Sequence, residues 1–86
     1  MAVYHLMGIL ISKRHANATQ VQEILTKYGC LIKVRLGLHE TGDVCSEEGL
    51  MILQLAGPED EIDELYAELS VLDGVVAENI RLQGNG

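Results

Sequence analysis

The sequence predicts a single α+β domain, residues 1–86, in which four strands and two helices follow the order β-α-β-β-α-β. Three observations carry this expectation. Eighty-six residues suit one domain and no more. Two segments with apolar residues at three- and four-residue spacing are separated by stretches of strand character. The four strand segments divide into two without formal charge and two that carry it. Central strands are covered on both faces and edge strands are not, so the uncharged pair belongs in the middle of the sheet. The antiparallel order 4-1-3-2 of the ferredoxin-like sandwich, with two helices on one face, puts that pair there.

Each element has its own local reason. Val3 to Ser12 (VYHLMGILIS) has no formal charge and reads as a strand covered on both faces. Lys13-Arg14-His15 breaks it. Asn17 can cap a helix, with Gln20 three residues on as a weak capping box. Ala18, Val21, Leu25 and Tyr28 form the apolar stripe of that helix, widened by Ile24. Gly29 is expected to end it in a left-handed conformation. From Leu31 to Leu38, Ile32, Val34, Leu36 and Leu38 alternate with Lys33, Arg35 and Gly37, the pattern of a half-buried strand. A polar loop, His39 to Glu48, leads to a second uncharged strand, Gly49 to Ala56. Gly57-Pro58 stops it and opens a second helix, with Pro placed where its missing amide hydrogen does no harm. Glu59, Asp60 and Glu61 suit the positive end of the helix dipole. Ile62, Leu65, Tyr66, Leu69 and Leu72 form its stripe. Asp73-Gly74 turns the chain into a last strand, Val75 to Leu82, and the tail from Gln83 to Gly86 is expected to fray.

Composition narrows the function. The net charge of −7, from six Lys and Arg against thirteen Asp and Glu, repels a phosphate backbone. With three Tyr, no Phe and no Trp, platforms for base stacking are nearly absent. Direct nucleic-acid binding is not expected. Cys30 and Cys45 form no CxxC and no disulfide framework, which suits reduced thiols in the cytoplasm. Leu6 to Ile11 is too short for a signal core or a membrane span, so no membrane association is expected.

Two central strands are apolar on both faces. Val3, Met7, Ile9 and Ile11 share one face with His5, while Tyr4, Leu6 and Leu10 share the other. In the third strand Leu50 and Ile52 oppose Met51, Leu53 and Leu55. Two helices cover one face only, so the sequence predicts a homo-oligomer assembled through the sheet.

Candidate ligand-binding residues are Lys33, Arg35, Gly37 and His39, which strict alternation puts on one face of the second strand, where an anion could sit. Arg offers a planar fork for a carboxylate or phosphate; the alternative reading is edge-strand solubility. Cys30, His39 and Cys45 are candidate ligands for a transition metal. Cys30 and His39 lie at opposite ends of one strand, roughly 30 Å apart when extended, so they could share a metal only between protomers. The carboxylates of the second helix read as a solvated face. Gly8 and Gly37, alone in strands, are where another backbone could approach closely. There is no nucleophile elbow, Walker loop or dinucleotide fingerprint, and catalytic residues are not assigned.

The segments VQEILTKYGCLIKVRLGLHE (Val21 to Glu40), GLMILQLAG (Gly49 to Gly57) and LDGVVAENIRL (Leu72 to Leu82) resemble a family of small proteins described as iron-only hydrogenase system regulators. Arg35-Leu36-Gly37 and Asp73-Gly74-Val75 carry the likeness, which covers nearly the whole chain. These are stand-alone ACT-like domains, similar to the C-terminal domain of the nickel-responsive regulator. The resemblance implies ligand-responsive regulation, assembly through the sheet and action through a regulatory protein partner. Two alternatives stay open: a metal-sensing module with Cys and His shared between protomers, and a small dimeric enzyme of the ferredoxin-like kind.

Overall fold

The computed structural model describes residues 2–12, 18–38 and 48–84. Strand β1 spans Val3–Ser12, helix α1 Ala18–Lys27, strand β2 Ile32–Leu38, strand β3 Glu48–Leu55, helix α2 Glu59–Ser70 and strand β4 Val75–Gln83. The sheet runs β2-β3-β1-β4, the expected 4-1-3-2 order seen from its other edge. Every pairing is antiparallel. The reasoning from charge holds because β1 and β3 are the strands with neighbours on both sides.

Register decides which side chains meet the helices. Met7 pairs with Leu53 and Asn79, and Ile9 with Met51 and Ala77. Met7, Ile9, Leu53, Leu55 and Ala77 are buried together with Val21 and Leu25 of α1 and Ile62, Leu65 and Leu69 of α2. Both helices therefore cover the face that carries Met7. Each fully buried aliphatic side chain contributes about 1.5–3 kcal/mol of transfer free energy. The opposite face has no covering layer among the described residues. There Tyr4 pairs with Leu82, Leu6 with Ile80 and Gln54, and Leu10 with Val76 and Leu50. On β2, Leu36 pairs with Ile52, and Val34, Leu36, Leu50, Val76, Ile80 and Leu82 are exposed.

Backbone hydrogen bonds seal the sheet at its ends. The Ala56 N–H donates to the Leu31 carbonyl at 2.8 Å, and the Ser12 N–H to the Gly74 carbonyl at 2.8 Å. Gly57 adopts φ +144°, and a Cβ there would stand 2.6 Å from Leu31 Cδ2. The turn from β3 into α2 thus requires glycine on two counts, conformation and space.

Two local expectations, at Gly29 and Gln83, are corrected. Gly29 does not close α1 in a left-handed conformation; among the described glycines only Gly57 and Gly74 have positive φ. Instead α1 ends at Lys27 and a 3₁₀ turn, Gly29–Leu31, follows, with the Leu31 N–H donating to the Tyr28 carbonyl at 2.9 Å. Such turns satisfy terminal carbonyls without glycine. Pro58 is the N-cap of α2, where its missing N–H does no harm, as expected. Gln83 is not part of a frayed tail, because it lies in β4 opposite Val3 and the Gly84 N–H donates to the Ala2 carbonyl at 2.7 Å. No helix among the described residues is long and apolar enough to cross a membrane.

Candidate functional site

On β2 the structure places Lys33, Arg35 and Gly37 at an exposed sheet edge. The register shifts between Ile32 and Val34. Lys33 is therefore the extra residue of a bulge, and the strict alternation expected to align it with Arg35 is interrupted there. Arg35 and Gly37 pair with Leu53 and Met51, on the helix side of the sheet but at its edge. A Cβ built on Gly37 meets nothing within 4 Å. Neither Lys33 nor Arg35 makes an ion pair among the described residues, whereas Lys27 and Arg81 are both paired with glutamates. In a chain of net charge −7, two cations two residues apart with no ion-paired carboxylate among the described residues are a place where an anion is not repelled by those residues. His39 lies outside the described residues.

Cys30 is an exposed free thiol in the 3₁₀ turn that leads into β2. The whole of β2, roughly 23 Å at strand rise, lies between the turn that holds Cys30 and the chain beyond Leu38. Cys45 also lies outside the described residues. Among the described residues, no group of three or more His, Cys, Asp and Glu is placed to hold a metal ion.

A polar groove of about 210 Å³ lies between β1, β4 and the first turns of α2, lined by residues that include His5, Glu59, Asp63, Asn79 and Arg81. His5 and Arg81 are cross-strand partners, so both project toward α2. Glu59 receives them together: its Oε1 lies 3.2 Å from the Arg81 guanidinium and 3.7 Å from His5 Nε2. His5, on the otherwise apolar helix-side face of β1, therefore has a carboxylate within reach. This constellation was not visible in the sequence, because only the β1–β4 register brings Arg81 beside His5.

A second polar contact joins the helices. The Tyr28 hydroxyl donates to Glu68, and Lys27 Nζ approaches Glu68 Oε2 at 3.0 Å. This hydrogen bond is the main cause that pushes the Tyr28 phenol up to about 12, assisted by desolvation and neighbouring carboxylates. The same bond, followed by Lys27, holds the Glu68 carboxyl below its ordinary value. The contact fastens the end of α1 to α2 and leaves no activated group.

A family model described as "TM1266-like: Iron-only hydrogenase system regulator, putative" matches residues 4–78. The chain belongs to this family. Among solved structures, the TM1266 protein from Thermotoga maritima superposes with a TM-score of 0.81 at 22% identity, covering 95% of this chain and 100% of that one. CPII from Thiomonas intermedia K12, a nitrogen regulatory PII-like protein bound to ADP, AMP and bicarbonate, superposes with a TM-score of 0.51 at 14% identity, covering 94% of this chain and 89% of that one. At these identities the likeness is one of fold. No curated protein matches the chain.

Proposed function

We propose that this member of the hydrogenase-system regulator family is an ACT-like module that works by binding and assembly in the cytoplasm, without catalysis. It associates with copies of itself through its sheet, responds to a small ligand and passes that response to a regulatory protein partner. The observation that carries this reading is the apolar sheet face that no layer of the described residues covers, the helices α1 and α2 lying on the other side. Soluble monomers rarely expose a contiguous aliphatic surface of this kind. The family description supports a regulatory role, and the net charge of −7 favours a protein partner over nucleic acid. Two cysteines without a disulfide framework suit a reducing compartment.

For the ligand, Lys33 and Arg35, which make no ion pair among the described residues, with the open Gly37 and with His39 following β2, favour a small carboxylate or phosphate. Arg binds either through two parallel hydrogen bonds. A transition metal held by Cys30, His39 and Cys45 of different protomers is the second reading, favoured by the exposed thiol of Cys30 and the softness of thiolate and imidazole donors. Native mass spectrometry of protein purified without added metal tests both. The expected result is an integral multiple of the chain mass that gains a bound anion when a carboxylate or phosphate is supplied, and loses that gain in Arg35→Ala. A metal adduct removed by Cys45→Ser would select the second reading. A monomeric mass that gains neither would sink the proposal.

A further inference from the structure

We infer that the uncovered sheet face is where two copies of this chain meet face to face, with Gly8 at the point of closest approach. The inference rests on the reading that the module self-associates. It selects the face, over the two edge strands, as the surface used.

Gly8 lies in the middle of that face. Along β1 it is flanked by Leu6 and Leu10, and across the sheet it pairs with Ile52 on β3 and Glu78 on β4. A Cβ built there meets nothing within 4 Å, and its φ is not in the left-handed region. Nothing among the described residues asks for glycine at this position. Glycine in the interior of a central strand weakens it, and is found where another backbone or a ligand approaches closely. The missing side chain leaves a hollow in an otherwise aliphatic surface, and the hollow opens away from the core.

Charge points to a second copy as the occupant. Among the described side chains of β1, β3 and β4 that share the face with Leu6, Gly8 and Leu10, only Glu78 carries a formal charge, and it stands on edge strand β4 opposite Gly8. The carboxylates of α2, from Glu59 to Glu68, belong to the opposite layer. Two sheets packed face to face sit about 10 Å apart with their helices outermost. The two α2 layers are then roughly 30 Å apart, several times the Debye length of about 8 Å at physiological salt. The net charge of −7 per chain therefore opposes this pairing little. A basic partner protein would instead be drawn to α2.

Size agrees with a modest but specific interface. The face extends about 20 Å along β1 and roughly 15–20 Å across four strands. With the relief of its side chains, two such faces bury on the order of 1,000 Å², the lower bound for a specific association. Packing of this kind is isologous, the same patch serving both copies.

Analytical ultracentrifugation over a low to high micromolar range, on the unmodified chain, Gly8→Val and Ile80→Lys, tests the inference. The unmodified chain is expected to dimerise reversibly. Gly8→Val should keep the circular dichroism spectrum and thermal midpoint, because valine suits a strand and the monomer has room for it, yet lower the association constant by about tenfold or more, the scale of 1.4 kcal/mol. Ile80→Lys, at a half-exposed position, should also weaken the dimer and keeps the test open if Gly8→Val misfolds. Tighter association of Gly8→Val would place Gly8 over a void and overturn its role. A dimer unaffected by both substitutions would assign assembly to the edges, overturning this inference while self-association stands. A folded monomer at every concentration would overturn both and leave the face to a different protein.

Discussion

Gly57 is the residue at which the fold tolerates least change. Its φ of +144° suits glycine, and a methyl group would stand 2.6 Å from Leu31 Cδ2, so strain and collision act together. Gly57→Ala is expected to cost about 1–3 kcal/mol, and each kcal/mol lowers the midpoint of a domain this size by about 4–8 °C. A thermal melt that leaves the midpoint in place would show that the β3–α2 turn relaxes freely. At Glu68 the expectation concerns pH. Its folded carboxyl is lowered, chiefly by the hydrogen bond from Tyr28, so the contact stabilises above the ordinary carboxylate value and is lost as pH falls through the folded one. Tyr28 is raised to about 12 by the same bond. Its stabilisation is complete below the ordinary tyrosine value of about 10 and is lost as pH rises from there through the folded one. The midpoint difference between the unmodified chain and Tyr28→Phe should therefore be greatest between about pH 5 and pH 10, shrinking at both ends. Parallel curves across the whole range would show that the bond has no thermodynamic weight.

At the scale of elements, helices and strands were legible where a period and a breaker coincided. β1 ran from Val3 to Ser12 as expected, and Gly57-Pro58 separated β3 from α2 because both residues resist continuing a strand. Two features were not legible. Gly29 follows a helical stripe, as C-terminal glycines do, but the chain ends α1 with a 3₁₀ turn whose geometry needs no particular residue. The bulge at Lys33 is a two-strand property, visible only once β2 is set against β3. Packing of α2 on the sheet allows a direct test of how much one helix contributes. Leu65 is fully buried among Met7, Leu53 and their neighbours, so Leu65→Ala should cost about 2–5 kcal/mol. That is a large share of the 5–15 kcal/mol typical of a whole domain. A denaturant midpoint displaced only slightly would mean that α2 collapses into the cavity and that the core is looser than its burial implies.

For the whole molecule, the one-sided architecture was legible from the alternation in β1 and β3, because a chain with two helices has nothing else to lay on a second sheet face. The site was legible only in part. Lys33 and Arg35 could be named from residue type, but the absence of an ion pair to either among the described residues depended on where the glutamates of α2 came to lie. The Glu59 groove lay beyond sequence reading, since its members are contributed from both ends of the chain by the β1–β4 register. That register also governs the order in which the molecule can be built. Val3 pairs with Gln83, so the first strand of this sheet to leave a ribosome is joined along one side by the last of the sheet. Loop closure over nearly the whole chain must precede those contacts, which places the domain among slower-folding mixed topologies rather than with helical bundles. Until β3 and β4 emerge, β1 is an uncharged aliphatic segment with both edges unpaired, the kind of intermediate that chaperones hold.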